Sequence, residues 1–308
     1  MTKPDWIAKL QDAVLEESRN GTEQGEFAQA NADSVVDTIK GCGPDSSTID
    51  PDFGARMVCN ISSVHIPAFV TASLAGEKAY KNGYDLAKYR IGGSASDGSL
   101  KTRDIVDQAL THLVGVSGDK IYFGAVELNG AGVRFYGDIC LVLKRDAVLS
   151  TTTILDRNSY DLVRSPLRQR IESGNPAMWD KNREAEASSI SGNWADDLQS
   201  IAALKVLKES NIGSRRITTG LISNGLLKDE DYIEVLRVGS FSARDLQEAR
   251  ISASDAPYES LVAQRRATGP RPRLEALIWR MRRRRADAAL RRAKVDVRVV
   301  TTTGRVKP

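Results

Sequence analysis

Cysteine and histidine are scarce in this 308-residue sequence, and their scarcity excludes several classes of chemistry. The three cysteines lie far apart without a CxxC spacing, so the sequence predicts neither a zinc ribbon nor a redox pair. With only two histidines, His65 and His112, a three-histidine metal site is impossible, and HExxH does not occur. We therefore expect no metal, and acid–base chemistry must fall to carboxylates or to one of these histidines.

A long apolar run is also missing. No stretch approaches the roughly 18 consecutive apolar residues of a transmembrane helix. The first 20 residues contain acids where a signal peptide would have its apolar core. Apolar residues make up 41% of the chain and charged residues 27%, which is typical of a protein that buries a core. These features predict a cytoplasmic protein with no membrane partner.

Positive charge is concentrated at one end of the chain. Residues 264–308 contain 15 Lys and Arg but three acids, a net charge of +12; the whole chain is +4, so the remaining residues carry −8. Apolar residues at helical spacing predict an arginine-rich helix here. Its arginines could dock on nucleic-acid phosphates, bind the acidic body of the chain or a partner protein, or face solvent. The arginines considered for nucleic acid are Arg282, Arg283, Arg284, Arg285, Arg291 and Arg292.

Apolar periodicity divides the chain into three parts. Residues 1–50 hold two amphipathic helical patterns, and the first 60 residues contain 5 basic and 11 acidic groups, so we predict an acidic helical hairpin. Residues 56–255 mix helix and strand patterns without a regular βαβ rhythm, which favours an α+β domain. Residues 264–308 form the arginine-rich helical tail.

Three local patterns in the middle part carry specific predictions. Asn129-Gly130 lies between the apolar stretches 120–128 and 132–144, which predicts two strands joined as a β-hairpin. The segment FSARDLQEAR, residues 241–250, has the composition of a short helix. The Gly/Ser-rich residues 92–98 match neither GxxxxGK[ST] nor GxGxxG, so a surface loop is favoured over a phosphate-binding loop.

Glu234 is the most informative carboxylate. It lies in Tyr232-Ile233-Glu234-Val235-Leu236-Arg237-Val238, where both alternating faces are mainly apolar, so the strand is predicted to be central. Burying a lone carboxylate there costs several kcal/mol unless it is paired or used. Two interpretations follow: an ion pair with an arginine, or a carboxylate oriented to bind a sugar hydroxyl.

His65 begins the stretch VHIPAFVTASLAG, directly after a predicted strand. A histidine at such a junction either caps the helix, fills a core position or provides a hydrogen-bonding side chain at a cleft. His112 lies on a helix that packs its apolar face, and we predict a surface position for it.

Together these segments resemble the ADP-ribosyltransferases, most of all the DNA-targeting branch of bacterial toxin–antitoxin systems. In that family a strand is followed by His-Ile and a short helix ending in glycine, here His65-Ile66 to Gly76. A later strand bears the catalytic glutamate, here Glu234, and is followed by a turn, a short helix and a final strand. The resemblance covers roughly residues 56–255 and implies a pair of small mixed or antiparallel sheets with flanking helices.

The resemblance also implies a substrate and residue roles. NAD would be the substrate, and Glu234 would hydrogen-bond its ribose 2′-OH and stabilise the oxocarbenium-like state formed as nicotinamide leaves. His65 would bind the ribose on the adenosine side. An arginine would neutralise the pyrophosphate, with Arg90 the first candidate and Arg134 the second. Tyr84 or Tyr136 would stack on nicotinamide.

Three functions remain open from the sequence. The first is an ADP-ribosyltransferase acting on nucleic acid or protein, as a toxin or phage-defence effector. As a toxin it would have an antitoxin as a partner protein, which the resemblance implies. The second is a non-enzymatic protein that binds nucleic acid through its basic tail. The third is an assembly protein of a phage or multi-protein complex, in which acidic hairpin and basic tail meet neighbouring copies.

Overall fold

The structure is a computed structural model, and it describes residues 4–19, 23–41, 53–83, 85, 97–164, 176–209, 217–228, 231–255 and 274–301. The helices of these residues are α1 (Trp6–Arg19), α2 (Glu23–Lys40), α3 (Ile66–Ala75), α4 (Asp97–Val114), α5 (Asp161–Arg164), α6 (Pro176–Ser189), α7 (Leu198–Glu209), α8 (Thr219–Leu226) and α9 (Leu274–Arg292). The strands are β1 (Arg56–Ile61), β2 (Ile121–Glu127), β3 (Ile139–Leu143), β4 (Thr153–Leu155), β5 (Ser191–Asn193), β6 (Leu227–Lys228), β7 (Asp231–Tyr232), β8 (Glu234–Val238), β9 (Leu246–Ser252) and β10 (Asp296–Val300).

Helices and mostly antiparallel strands are mixed, which confirms the predicted α+β class. The chain forms two compact units, each built from non-consecutive segments. Unit 1 comprises Met1–Ala55, Lys81–Val126 and Leu149–Gly239; unit 2 comprises Arg56–Tyr80, Glu127–Val148 and Ser240–Pro308. The three segment boundaries and the paired-sheet arrangement expected from the resemblance stay predictions.

In unit 1 four strands lie in the order β2-β8-β4-β5, and all three pairings are antiparallel. One face of these strands contributes Ile121, Leu155 and Leu236 to a core that α4, α5 and α6 complete with Leu110, Leu162 and Ala187. The buried strands therefore have apolar neighbours on either side, which fixes their register because a one-residue slip would expose the core face.

The acidic helices α1 and α2 also belong to unit 1. They pack against each other and against α7, and Val14, Ala28 and Ala32 form a small apolar cluster. The indole of Trp6 donates to the carbonyl of Ser191 at 2.8 Å, which ties the start of α1 to β5. The amphipathic pattern of the first 40 residues is thus explained by packing within unit 1.

In unit 2 four strands lie in the order β10-β9-β3-β1; β10 and β9 are parallel, and the other two pairs are antiparallel. Helix α3 ends at Gly76, whose φ of 73° is a left-handed conformation that glycine adopts without strain. Helix α9 packs on α3 and on β10. This unit therefore carries the basic helix against its own sheet.

The predicted β-hairpin around Asn129-Gly130 is wrong. β2 pairs with β8, and β3 pairs with β1 and β9, while residues 131–138 form a loop. The side-chain amide of Asn60 donates to the carbonyls of Ala131 and Gly137, at 2.9 and 3.1 Å, and so holds both ends of this loop. A Cβ on Gly137 would overlap the backbone of Ile61, so the loop depends on a close approach that glycine allows.

The predicted helix over residues 241–250 is also wrong. A single 3-10 turn, Ala243–Asp245, is followed directly by strand β9. Leu246, Ala249 and Ser252 of this strand are buried, and its backbone pairs with both β3 and β10. Tertiary pairing therefore overrides the helical composition of the segment.

Candidate active site

Glu234 begins β8 between the two neighbouring strands β2 and β4. Its register partners are Ala125 on β2 and Leu155 on β4, so the predicted central position of its strand is confirmed. The residue is 3% exposed. The apolar face that includes Leu155 and Leu236 continues from it toward α4 and α5. A carboxylate in this position is largely removed from water, and its energy depends on the groups that hydrogen-bond to it.

The turn after β4 provides one of these groups. The backbone N–H of Ser159 donates to Oε2 of Glu234 at 2.9 Å. The side chain of Asn158 shapes the turn, because its Oδ1 accepts from the backbone N–H of Tyr160 at 3.0 Å and its Nδ2 donates to the hydroxyl of Tyr232 at 3.2 Å. Residues 158–160 are thus fastened to the strand that carries Glu234, and the carboxylate is held in one orientation.

The hydroxyl of Ser159 is the unusual group of this turn. Ser159 is fully buried, with 0% exposure, and among the residues that the structure describes its Oγ has no hydrogen-bond partner. A buried hydroxyl without a partner costs about 1–3 kcal/mol, so native structures seldom keep one unless it serves a purpose. A carboxylate next to a serine whose hydroxyl can donate or accept is a suitable pair for the adjacent hydroxyls of a sugar.

Sequence reasoning missed Asn158 and Ser159. They lie 75 residues before Glu234 or more, and strand pairing alone brings them to it. Their signal in the sequence is modest: polar Asn-Ser follows shortly after the buried strand Thr153–Leu155. Polar side chains at the end of a buried strand are a common setting for functional groups.

Two ion pairs lie on the same part of unit 1. Arg157 binds Asp156 through two hydrogen bonds of 2.7 and 3.0 Å, and the bond to Asp156 raises the pKa of Arg157 above its ordinary value. Lys205, which is buried, binds Asp231 at 2.6 Å. These cations are matched by neighbouring acids, so the turn and β7 add little net charge near the start of β8.

The other residues assigned from the resemblance lie in unit 2 or outside the described residues. Arg90 and Tyr84 are among the latter, so the structure says nothing of them. His65 occupies the N-cap position of α3, but its side chain makes no capping bond and is exposed, which excludes both the capping and the core interpretation. His112 is exposed as predicted and binds Glu184 at 3.0 Å.

Arg134 and Tyr136 lie on the loop 131–138. Arg134 forms an ion pair with Asp255 and also donates to the hydroxyl of Ser254 at 2.9 Å. Its charge is therefore already balanced, and binding a pyrophosphate would require an exchange of partners. Tyr136 is about half exposed and lies edge-to-face on Phe135, with ring centroids 4.9 Å apart.

Within unit 2 the loop and the turn that follows β1 lie side by side. The backbone N–H of Ser63 donates to Oδ1 of Asp138 at 2.7 Å, and Gly137 lies against the backbone of Ile61. His65 and Tyr136 are each two residues from this bonded pair, Ser63 and Asp138. Unit 2 thus brings two of the predicted NAD-binding side chains onto adjoining segments.

The six arginines considered for nucleic acid do not share one environment. Arg283 is 5% exposed, donates to the carbonyl and to Oδ2 of Asp138 at 2.8 and 3.1 Å, and lies 3.7 Å from Asp255. Its guanidinium therefore belongs to the interior of unit 2, and its assignment as a nucleic-acid contact is wrong. The other five are exposed: Arg282, Arg284, Arg285, Arg291 and Arg292.

One cavity of about 160 Å³ lies in unit 1 apart from the Glu234 turn, lined by Ile105, Gln108, Ala109, His112, Arg183 and Glu184.

Across the described ranges, no helix has both the length and the apolar character that crossing a bilayer requires. In the same ranges no group of three or more His, Cys, Asp or Glu side chains is arranged to hold a metal ion. No protein-family model, curated protein or solved structure matches this chain.

Proposed function

We propose that the chain is an ADP-ribosyltransferase that takes NAD as its substrate and uses Glu234 as the catalytic carboxylate. The observation that supports this proposal best is the pairing of Glu234 with Ser159. One carboxylate oxygen is oriented by a backbone N–H at 2.9 Å, and the adjacent serine hydroxyl is buried without a partner among the described residues. This arrangement is suited to adjacent sugar hydroxyls.

The chemistry follows from the position of the charge. When the bond between nicotinamide and ribose breaks, positive charge develops on the ribose ring as nicotinamide departs with the bonding electrons. A carboxylate fixed in a site of low dielectric stabilises this charge more strongly than water would, because it does not reorganise during the reaction. Glu234 would accept a hydrogen bond from the ribose 2′-OH, and the Ser159 hydroxyl would bind the neighbouring oxygen.

The acceptor then attacks the same carbon of the ribose. Its nucleophilic atom forms the new glycosidic bond and gives up its proton, so that nicotinamide is exchanged for the acceptor and ADP-ribose remains intact. A nucleic-acid base or a protein side chain would serve as the acceptor, as expected for a toxin or phage-defence effector. The NAD-binding roles of His65, Arg90, Arg134 and Tyr136 remain predictions from the resemblance.

Burial has a consequence for access. Glu234 and Ser159 have almost no exposed surface, so NAD reaches them only when a segment that covers them moves. Such movement is common in enzymes that exclude water from a reactive intermediate. For this chain the benefit is direct, because water is a competing acceptor for the ribose cation.

The decisive test is Glu234→Gln in the full chain. Glutamine keeps the size of the side chain and one oxygen acceptor but removes the negative charge, so we expect NAD turnover to fall on the order of 10²- to 10³-fold. Turnover is measured as nicotinamide release, and the fold is checked by thermal unfolding. Wild-type protein should also gain about 2.7 kcal/mol of stability when NAD is present at 100 times its Kd.

The matched control is Glu184→Gln, which removes a carboxylate that binds the exposed His112. This variant should keep wild-type turnover. A folded Glu234→Gln protein that releases nicotinamide at the wild-type rate would reject the role of Glu234. Wild-type protein that neither turns over NAD nor is stabilised by it would reject the proposed function.

A further inference from the structure

Helix α9 presents an arginine-rich outer face that the NAD chemistry does not use. Between Ala276 and Arg292 the sequence has seven arginines and one acid, Asp287. Among the described residues, Arg282, Arg284, Arg285 and Arg292 form no ion pair, whereas Arg291 binds Asp287 at 3.1 Å. A concentration of exposed guanidinium groups with so few acids is unfavourable unless an external anion neutralises it.

The inner face of α9 explains why this charge points outward. Ala276, Ala286 and Leu290 are buried, and Arg283 lies with them because it is three residues from Ala286 and seven from both Leu290 and Ala276. The ring of Trp279 lies 5.4 Å from the Arg283 guanidinium. The side of the helix that bears Ala276, Ala286 and Leu290 is thus packed within unit 2.

The spacing of the outer arginines is regular. Arg284 and Arg285 recur as Arg291 and Arg292 after seven residues, which is close to two helical turns and about 10.5 Å along the axis. Two pairs of guanidinium groups on one face, at this separation, suit a ligand that repeats its negative charge along a line. Arginine can bind a phosphate through two parallel N–H donors. Lysine binds it as a point charge and cannot form this two-bond contact.

We propose that the outer face of α9, formed by Arg282, Arg284, Arg285, Arg291 and Arg292, is a docking surface for the phosphate backbone of a nucleic acid. The surface would recognise the charge and spacing of the phosphates but not the base sequence, because contacts to phosphate carry no sequence information. This surface does not depend on NAD turnover. If both proposals hold, a nucleic acid bound here would be the natural acceptor of ADP-ribose.

The test measures the salt dependence of binding to a fluorescent 20-base-pair DNA duplex by anisotropy. The variant Arg284→Gln/Arg285→Gln/Arg292→Gln removes three outer arginines that have no partner among the described residues. Each lost phosphate contact reduces the slope of log K against log salt by about 0.9, so the slope should become shallower by roughly 2.7. Between 50 and 200 mM salt, the wild type should therefore lose roughly 40-fold more affinity than the variant.

The matched control removes the same charge elsewhere. Arg19, Lys181 and Lys208 are exposed residues of unit 1, and changing all three to glutamine also lowers the net charge by three. This control should keep the wild-type slope. An equal loss in both variants would show that total charge alone matters and would overturn the proposal.

Other outcomes are equally informative. Wild-type protein that binds neither duplex nor single-stranded DNA and RNA of the same length would overturn the proposal. Tighter binding to labelled polyglutamate than to DNA would assign the surface to an acidic protein, and tighter binding to phosphatidylserine vesicles would assign it to a membrane. The thermal unfolding of the triple variant should match the wild type, which separates loss of binding from loss of fold.

Discussion

The buried arginines of unit 2 and the buried Glu234 of unit 1 make different kinds of contact. In unit 2 the buried guanidinium groups are matched with carboxylates, as in Arg250 with Glu248, at 2.6 Å, and Arg283 with Asp138, at 3.1 Å. In unit 1 the buried carboxylate of Glu234 accepts from a neutral backbone amide beside a serine hydroxyl. Matched pairs stabilise one conformation and leave no group for a ligand. The backbone amide fixes the orientation of the Glu234 carboxylate without itself neutralising the charge, which is the arrangement that the proposed function requires.

The largest effect should come from breaking a matched pair in unit 2. Arg283→Met leaves Asp138 without its guanidinium partner, and breaking a buried pair in this way costs about 3–5 kcal/mol. The neighbouring Arg284→Met should change stability by about 0.5 kcal/mol or less, because Arg284 is exposed. Urea unfolding of both variants measures the difference. Similar stabilities for the two would mean that Arg283 is not an internal anchor.

A second effect concerns an acid that unit 2 keeps neutral. Burial raises the pKa of the Cys140 thiol well above its ordinary value; Arg250 nearby lowers it, while Glu127, Cys59 and Glu248 raise it. The folded thiol therefore keeps its proton at a pH at which the unfolded thiol, with a pKa of about 8.5, has lost it. The stability that depends on the neutral thiol is complete below that pH and is lost as the pH rises above it.

For the Cys140 thiol alone, the free energy of unfolding should fall by about 1.4 kcal/mol per pH unit above about pH 9. Burial also raises the pKa of Tyr80, which adds to the decline above about pH 10. Cys140→Ala should make the decline shallower by about one such slope. Urea unfolding of wild type and variant at a series of alkaline pH values measures this, and parallel curves would contradict the assignment.

The smallest effect compares two buried serines, one in each unit. Ser73 of unit 2 donates from Oγ to the carbonyl of Phe69 at 2.8 Å and accepts from the N–H of Ala243 at 3.0 Å, so Ser73→Ala should cost about 1–2 kcal/mol. Ser159→Ala removes a hydroxyl without a partner among the described residues and should leave stability unchanged or raise it by about 1 kcal/mol.

The two variants should also separate in activity. Ser159→Ala keeps the backbone N–H that orients Glu234, so any loss of NAD turnover would be caused by removal of the hydroxyl. Ser73→Ala should leave turnover unchanged at temperatures at which the protein is folded. If Ser159→Ala destabilised the protein as much as Ser73→Ala while turnover stayed normal, the hydroxyl would be structural.

Sequence patterns predicted the elements whose environment is local. The alternation around Glu234 predicted a central strand because both faces of that stretch are apolar, and β8 has that position. Helices α1 and α2 followed from their apolar periodicity. The helix predicted at residues 241–250 failed because β3 and β10 supply hydrogen bonds that local composition does not report.

The candidate site was harder to predict for the same reason. Ser159 reaches Glu234 through the pairing of β4 with β8, a contact across 75 residues, and its local signal is only the polar pair Asn-Ser after a buried strand. Arg283 is a different case. Its spacing from Ala276, Ala286 and Leu290 places it on the buried face of the helix. Helical periodicity of the charged residues therefore indicates that one arginine of the four-arginine run faces inward.

The inward arginine changes how the basic end of the chain can be dissected. Cutting the chain before residue 264 would remove the outward guanidinium groups of α9 and would also remove Arg283, the cation that binds Asp138. The loop that carries Tyr136 would also lose its contact with α9, which Arg283 makes through Asp138. Damage to unit 2 in a deletion mutant would therefore be mistaken for loss of ligand binding, and only substitutions of solvent-facing residues can separate the two effects.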